Sequence, residues 1–181
     1  MRIIGGKYKG KQLAAVISIR PTQNKVRKAL FDILGDIEGL SFLELFAGSG
    51  AVGFEAASRG AREIVLVESG RQSLSAIKKN MESLKVETCY VYPKEAEGAI
   101  TALHRDKKRF DIIFLDPPYY DGMAKKILQM LGVYDILAPN GFIAVQHFKK
   151  DELPEEAGDL RLVKESRYGD TMLSLYNREE D

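Results

Sequence analysis

The hydrophobic and polar positions of the chain follow a pattern typical of alternating strands and helices. From residue 41 onward, short apolar runs are separated by longer amphipathic stretches. The apolar runs predict strands at residues 42–46, 64–67, 86–92, 111–115 and 142–146. The amphipathic stretches predict helices at residues 52–58, 71–84, 96–107 and 123–131. This order predicts βαβ units, and therefore an α/β fold with a parallel sheet covered by helices on both faces.

The pattern changes after the fifth predicted strand. Residues 160–166 and 172–176 are strand-like runs joined by Tyr168, Gly169 and Asp170, which predicts an antiparallel hairpin at the sheet edge. Gly132 and the run Pro139, Asn140 and Gly141 predict a break before the fifth strand. The whole pattern predicts a mostly parallel sheet of seven strands that ends in this hairpin.

The region before the sheet has its own pattern. Residues 3–4 and 13–19 flank a segment rich in Gly and Lys, which predicts a small β-ribbon. Pro21 and Thr22 are typical of a helix start, with Thr22 as the N-cap. The apolar stripe of this helix is predicted to be Val26, Ala29, Leu30, Ile33 and Leu34. We expect residues 1–40 to form an extension of a core at residues 41–181, the two together making one structural domain.

Length and composition exclude several classes of protein. The 181 residues fit one domain, and 45% hydrophobic residues exclude a largely disordered chain. No apolar run approaches the roughly 18 residues that cross a bilayer, and residues 1–7 lack the core of a signal peptide. We therefore expect a cytoplasmic protein with no membrane partner. The single Cys89 and only two histidines exclude a disulfide framework and a recognisable zinc-ligand set, so no metal site is expected.

The charges of the chain are distributed unevenly. The net charge is +1, yet no acidic residue precedes Asp32 and eight basic residues do, while the remaining chain carries 19 basic against 26 acidic residues. A basic N-terminal arm on an acidic body favours a polyanionic partner, although a solvated leader would have the same charge. The candidate contacts to RNA are Lys7, Lys9, Lys11, Arg20, Lys25 and Lys28.

The first candidate binding motif follows the first predicted strand. Gly48 and Gly50 allow a sharp turn and close approach of a ligand, and Gly53 allows the next helix to pack near the strand. Glu68 ends the second strand, where a carboxylate can accept both hydroxyl protons of a ribose. The same glycines match a dinucleotide fingerprint. Glu44 would repel a pyrophosphate and attract an ammonium and a sulfonium, which favours S-adenosylmethionine. A tight turn without a ligand is the alternative.

The second candidate motif follows the fourth predicted strand. Pro117 and Pro118 restrict the backbone and remove two amide donors, so that Asp116 and the Pro117 carbonyl present only acceptors. Such an array suits an exocyclic amino group, which it would position for attack on a methyl sulfonium. Asp116 could then take up the released proton, and Tyr119 offers a face on which a base can stack. Strands one and four end at the same sheet edge in this fold class, so we expect the two motifs to meet. A Pro-Pro turn capped by Asp is the alternative.

These residues resemble a known family. Phe46, Ala47, Gly48, Ser49 and Gly50, together with the segment from Asp116 to Tyr119, resemble the class I S-adenosylmethionine-dependent amino methyltransferases with a (D/N)PP(Y/F) motif. Further segments are similar in order and spacing to the RsmD family, namely residues 1–7, 9–11, 20–22, 29–31, 58–61 and 168–171. The resemblance covers nearly the whole chain and implies a Rossmann-like fold. It implies methylation of the 2-amino group of a guanine in bacterial 16S ribosomal RNA, within small-subunit particles.

The resemblance also implies roles for individual residues. It places Glu68 at the ribose, Glu95 near the adenine, and Arg20 and Thr22 close to the methionine end of the cofactor. The full set of implied cofactor contacts is Glu44, Phe46, Ala47, Gly48, Ser49, Gly50, Glu68, Glu95, Asp116, Arg20 and Thr22. The chain departs from the family pattern at three positions. Glu44 and Glu95 each stand where the family usually has Asp, and Gln146 stands where it often has Glu.

Other functions remain open from the residues alone. A DNA adenine-N6 methyltransferase would use nearly the same acceptor geometry, although no separate DNA-recognition domain is visible. A non-catalytic RNA-binding assembly factor would need only the basic arm, and an NAD-dependent enzyme would use the glycines. His147 is expected to be structural because an aniline-like amine needs no deprotonation before attack. We expect 16S ribosomal RNA as the partner and a monomeric protein.

Overall fold

Most of the elements predicted from the hydrophobic pattern are present in the computed structural model, which describes residues 1–16, 24–119 and 122–178. The chain divides into two compact units, residues 1–95 and 96–181. The first contains α1 (Asn24–Leu34), β1 (Ser41–Leu45), α2 (Ala51–Ser58), β2 (Glu63–Val67), α3 (Arg71–Leu84) and β3 (Cys89–Tyr92). The second contains α4 (Ala96–Arg105), β4 (Phe110–Leu115), α5 (Met123–Leu131), β5 (Leu137–Phe148), β6 (Glu156–Ala157), β7 (Leu160–Tyr168) and β8 (Thr171–Arg178). The expected boundary between residues 40 and 41 stays a prediction.

The first unit is built on parallel strands in the order β3-β2-β1. Leu43 of β1 lies opposite Val65 of β2, and Val65 lies opposite Tyr90 of β3. All five residues of β1 are buried, as is typical of a strand with both faces covered. This strand leads directly into the first predicted motif, so its burial fixes the position at which the motif begins.

Helix α1 buries a face that only partly matches the predicted one. Its buried residues are Val26, Arg27, Leu30 and Phe31, whereas Ala29, Ile33 and Leu34 are only half-buried. The predicted stripe is confirmed at Val26 and Leu30, and it omitted Arg27 and Phe31. Arg27 is fully buried and lies 3.8 Å from the equally buried carboxylate of Glu55. The predicted helix start at Pro21 and Thr22 lies outside the described residues.

The predicted N-terminal ribbon is present as a single antiparallel bridge between Arg2 and Gln12 in the described part of the chain. The Ile3 N–H donates to the Lys11 carbonyl at 3.0 Å, and the Leu13 N–H donates to the Met1 carbonyl at 2.8 Å. Residues 17–19 of the predicted ribbon lie outside the described ranges. The pairing closes the Gly- and Lys-rich segment into a compact turn.

The second unit contains β4-β5-β8-β7-β6 in that order. β4 and β5 are parallel, and the remaining pairings are antiparallel, which confirms the predicted terminal hairpin. The described residues contain eight strands, one more than predicted. The additional strand is β6, whose two residues are too few to show an alternating hydrophobic pattern. The predicted break at residues 139–141 lies inside β5, where the pairing with β4 shifts its register after Phe110. No helix among the described residues is long and apolar enough to cross a membrane.

Candidate active site

The glycine loop, residues 46–50, joins β1 to α2 through three residues with positive φ. Phe46 has φ +61°, an uncommon conformation for a residue with a side chain. A Cβ on Gly50 (φ +76°) would lie 2.7 Å from the Phe54 ring, so this position requires glycine. A Cβ on Gly48 (φ +56°) would meet no described atom within 4 Å. The loop is therefore packed at Gly50 and open beside Gly48, which leaves space for a ligand to approach the backbone.

Glu44 is buried beneath this loop, with 3% of its surface exposed. The Gly53 N–H donates to its Oε2 at 2.8 Å. A Cβ on Gly53 would lie 2.4 Å from Leu66 Cδ2, so the glycine allows α2 to pack against β2, as the motif predicts. Burial, and secondarily the charge of Glu44, raises the pKa of the Cys89 thiol to about 12. Glu44 thus connects β1 to the first turn of α2, and its attraction for the methionine end of a cofactor stays a prediction.

Glu68 follows β2 and is half-buried. Its Oε2 accepts the Gly48 N–H at 2.7 Å, and its Oε1 accepts the N–H groups of Ser69 at 2.9 Å and Gly70 at 2.7 Å. A carboxylate offers about four acceptor positions, so these three bonds leave room for one further donor. Glu68 therefore fixes the glycine loop to the end of β2 and can still accept a hydrogen bond from one hydroxyl group, whereas the motif predicted two such bonds.

Asn80 of α3 contacts the glycine loop, although the sequence motifs did not indicate it. This residue is 1% exposed, and its Nδ2 donates to the Ser49 carbonyl at 3.0 Å. Its Nδ2 also donates to the Ala14 carbonyl at 3.1 Å, and its Oδ1 accepts the Ala14 N–H at 2.7 Å. The carboxamide therefore joins the loop to the N-terminal segment. Its sequence signal is an Asn on the predominantly apolar buried face of α3, which also includes Ser73.

The remaining predicted cofactor contacts outside the two motifs are Glu95, Arg20 and Thr22. Glu95 is exposed and directly precedes α4. Arg20 and Thr22 lie outside the described residues. The structure therefore brings Glu44, residues 46–50 and Glu68 together at one end of β1 and β2, while Glu95 follows β3.

The acceptor segment, residues 116–119, begins immediately after β4. Asp116 is half-buried, Pro117 is buried and Pro118 is exposed. The Tyr119 ring lies 6.0 Å from the Phe148 ring, centroid to centroid, and its hydroxyl lies 3.4 Å from Thr171 Oγ1. Phe148 and Thr171 were missing from the predicted site, although Thr171 belongs to a segment that resembles the family. They restrict the orientation of Tyr119.

The predicted RNA-binding lysines are on the surface of the first unit. The side chains of Lys7, Lys9, Lys11 and Lys25 are exposed, and so is that of Lys28. Lys28 is paired with Asp32 at 2.6 Å, which offsets its charge. Arg20, the sixth candidate, lies outside the described ranges. Lys28 therefore contributes less positive charge to the surface than Lys7, Lys9, Lys11 and Lys25.

The N-terminal turn, residues 4–11, is attached to α2 by hydrogen bonds that its backbone N–H groups donate. Glu55 accepts the N–H groups of Ile4 and Gly5, each at 2.8 Å. The Lys7 N–H donates to the Ser58 carbonyl at 2.7 Å, and the Tyr8 N–H donates to Ser58 Oγ at 2.8 Å. The basic arm is thus held at the C-terminal end of the helix that begins at the glycine loop.

A buried charge cluster supports this attachment. Glu55 and Arg27 are both fully buried, and Arg59 Nε donates to Glu55 Oε1 at 3.0 Å. The Arg27 guanidinium also donates to the Arg2 carbonyl at 2.5 Å. Burial lowers the pKa of Arg27, and the Glu55 carboxylate opposes that shift. Glu55 therefore neutralises buried arginine while it holds the N-terminal turn.

His147 of β5 is buried in the second unit. Its Nε2 lies 2.8 Å from Ser174 Oγ, and Ser174 Oγ donates to Glu165 Oε1 at 3.0 Å. Burial lowers the pKa of His147, although the Phe148 carbonyl and the nearby Glu165 and Asp151 act in the opposite direction. A buried imidazole in a strand-to-strand hydrogen-bond network fits the structural role expected for it.

The chain is similar to known proteins over nearly its whole length. A family model described as Conserved hypothetical protein 95 matches residues 1–177. The Ribosomal RNA small subunit methyltransferase D of Escherichia coli K12 is 33% identical, over 99% of this chain and 90% of that protein. The chain belongs to the RsmD family. Another similar protein is YlbH of Bacillus subtilis, which carries a provisional rRNA methyltransferase name. It is 37% identical over 98% of this chain and 99% of its own length.

Solved structures agree with membership of the RsmD family. The yhhF protein of Escherichia coli, provisionally described as a methyltransferase, matches with a TM-score of 0.86 and 31% identity. The match covers 99% of this chain and 98% of that chain. This comparison confirms the predicted fold class, an α/β class I methyltransferase fold with a mostly parallel sheet and a C-terminal antiparallel hairpin.

Proposed function

We propose that this RsmD-family protein transfers a methyl group from S-adenosylmethionine to the exocyclic N2 of a guanine in 16S ribosomal RNA. The observation that carries the proposal is that a small-subunit rRNA methyltransferase matches nearly the whole chain, including both motif regions. rRNA methylation with S-adenosylmethionine as the methyl donor is the function of the family to which the chain belongs. The guanine-N2 position and the small-subunit particle are the finer parts of the proposal. The proposal also includes that the protein is a monomer and acts in the cytoplasm.

The glycine loop and its neighbours fit this methyl donor. The space beside Gly48 gives access to the backbone, and Glu68 has room for one further hydroxyl donor. The buried carboxylate of Glu44 adds negative charge beneath the loop, which suits a cationic ligand better than a pyrophosphate. Phe46, Ala47 and Ser49 complete the loop, and Arg20, Thr22 and Glu95 are the remaining proposed contacts. When bound, S-adenosylmethionine supplies an electrophilic methyl group on a sulfonium.

The acceptor segment would orient the target amine. The Asp116 carboxylate and the Pro117 carbonyl would accept hydrogen bonds from the two N–H groups of the amino group. This arrangement would direct the nitrogen lone pair toward the methyl group of the donor. That lone pair would form the new N–C bond while the methyl–sulfur bond breaks, and the electron pair of the broken bond would remain on the sulfur of the donor. The nitrogen then releases one proton, for which Asp116 is the nearest proposed acceptor. Tyr119, oriented by Phe148 and Thr171, would stack on the base.

The basic N-terminal surface would bind the phosphates of the RNA. Lys7, Lys9 and Lys11 belong to a turn whose backbone is hydrogen-bonded to α2, the helix that follows the glycine loop. Lys25 adds a further exposed cation on α1, and Lys28 and Arg20 are the other proposed contacts. Phosphate contacts of this kind position a nucleic acid without reading its sequence.

Two substitutions at Asp116 test the proposal. In Asp116→Ala, transfer of labelled methyl groups to undermethylated 30S particles should fall about 100-fold or more, because the amine is no longer positioned. Binding of S-adenosylmethionine, measured by calorimetry, should not be abolished, because the other proposed cofactor contacts remain. Asp116→Asn keeps an acceptor oxygen and should retain more transfer than Asp116→Ala, since the related motif accepts either residue.

The same assays separate the other candidate functions. Labelling of duplex DNA in preference to 30S particles would favour a DNA adenine methyltransferase. Binding of NAD in place of S-adenosylmethionine would favour an oxidoreductase. Binding of 30S particles without affinity for either cofactor would favour a non-catalytic assembly factor. Each of these results would contradict the proposal.

A further inference from the structure

Asn80 is the point at which the glycine loop and the N-terminal segment share one side chain. Its Nδ2 donates both to the Ser49 carbonyl at 3.0 Å and to the Ala14 carbonyl at 3.1 Å. Its Oδ1 accepts the Ala14 N–H at 2.7 Å. Both Nδ2 protons therefore donate hydrogen bonds, each to a different segment of the chain, and the two segments are distant in the sequence.

The burial of Asn80 makes the loss of any of these hydrogen bonds energetically costly. The residue is 1% exposed, so a displacement of either carbonyl would leave a buried amide proton without a partner. The Ala14 backbone is bonded at both its N–H and its C=O, which fixes the orientation of the carboxamide. The position of Ser49 in the loop and the position of Ala14 are therefore linked through one rigid group.

We propose that Asn80 is a positioning residue that couples binding of the methyl donor at the glycine loop to the ordering of the N-terminal segment. The inference rests on the proposed function, in which the loop holds S-adenosylmethionine and residues 7–11 bind RNA. Because free-energy coupling is reciprocal, a donor that fixes Ser49 also fixes Ala14, and RNA that fixes the N-terminal segment strengthens binding of the donor.

Asn80→Asp tests this coupling most sharply. Aspartate keeps an oxygen that can accept the Ala14 N–H, but it loses both donated bonds and faces the two carbonyls with negative charge. Asn80→Ala removes all three bonds and serves as a second variant. Ile77→Val, a fully buried change three residues away on α3, is the control for general loosening of the helix.

The probe is S-adenosylhomocysteine, which occupies the donor site without transferring a methyl group. In the wild-type protein, binding should slow hydrogen exchange of the Ala14 amide, measured by NMR, about 5-fold or more. In Asn80→Asp the probe should slow Ala14 amide exchange by less than about 2-fold. Affinity for the probe should fall by about the same factor as this slowing decreases between wild type and variant. Ile77→Val should keep both properties.

Three results would overturn the inference. The first is Ala14 exchange that does not respond to the probe in a wild-type protein that binds it. The second is an undiminished response in Asn80→Asp and Asn80→Ala, and the third is an equal loss of the response in Ile77→Val. Failure of the wild-type protein to bind S-adenosylhomocysteine would instead contradict the proposed function, so the two failures are distinguishable.

Discussion

The carboxylate of Glu44 accepts the backbone N–H of Gly53 at 2.8 Å, beneath the loop that joins β1 to α2. This bond connects a buried strand to the first turn of the following helix. The same helix holds the basic N-terminal turn at its other end through Glu55 and Ser58. Helix α2 therefore connects the proposed donor site with the proposed RNA-binding surface.

Substitution of Glu44 separates its structural bond from its charge. Glu44→Gln can still accept the Gly53 N–H, so the free energy of unfolding should stay within about 1 kcal/mol of the wild-type value. Glu44→Ala leaves that N–H unpaired and should lose about 1–3 kcal/mol. Both variants should bind S-adenosylmethionine more weakly, because the negative charge is gone. Urea unfolding and calorimetry measure the two effects. Undiminished affinity in Glu44→Gln would show that the charge has no part in binding.

The buried charge cluster at Glu55 should be important for stability. Glu55→Ala leaves Arg27 buried without its counter-ion and frees the N–H groups of Ile4 and Gly5. We expect the free energy of unfolding to fall by about 3–5 kcal/mol, as for other broken buried ion pairs. Arg59→Ala is the control, since its side chain is 25% exposed and its loss should be smaller. Equal losses in urea unfolding would contradict this account of the cluster.

Neutralising the N-terminal turn should change the salt dependence of RNA binding. If Lys7, Lys9 and Lys11 each contact a phosphate, their joint replacement by Gln should reduce the slope of log affinity against log salt by about 2–3. Affinity for 30S particles, measured by filter binding over a range of salt concentrations, gives the slope. Lys126→Gln is the control, because this lysine is already paired with Glu97 at 2.8 Å. An unchanged slope in the triple variant would exclude phosphate contacts by this turn.

The lowered pKa of His147 predicts a loss of stability in mild acid. Below about pH 6.5 the unfolded chain binds a proton at this residue that the folded protein does not. The free energy of unfolding should therefore decrease by up to about 1.4 kcal/mol per pH unit below pH 6.5, until the folded pKa is reached. His147→Gln should remove this part of the pH dependence, while substitution of the exposed His104 should not. Urea unfolding at pH 7.5 and 5.5 measures this difference. The same decrease in the free energy of unfolding in His147→Gln and the wild type would contradict the prediction.

Much of the fold could be predicted from local periodicity. The predicted bounds of α3 and α5 match the structure, because both helices carry clear amphipathic patterns. The glycine loop could also be predicted, because Gly48, Gly50 and Gly53 follow a predicted strand at the spacing of a ligand-binding turn. Periodicity could not reveal that Arg27 is buried, because its partner Glu55 lies on another helix.

The missed parts of the site have the same cause. The partners of Asn80 lie 31 and 66 residues away in the sequence, so no local spacing indicates the link. Likewise, Thr171 meets Tyr119 only because strand β8 folds back beside β5. Motifs indicated which residues carry the chemistry, whereas the residues that orient them depend on contacts between distant segments.

The most direct test of the central claim is the identity of the methylated nucleoside. Purified protein is incubated with tritium-labelled S-adenosylmethionine and 30S particles from cells that lack the corresponding modification, and the 16S RNA is digested to nucleosides. We predict that the label elutes as N2-methylguanosine. Label in a methylated adenosine, or no transfer by a protein that binds the methyl donor, would contradict the proposed function.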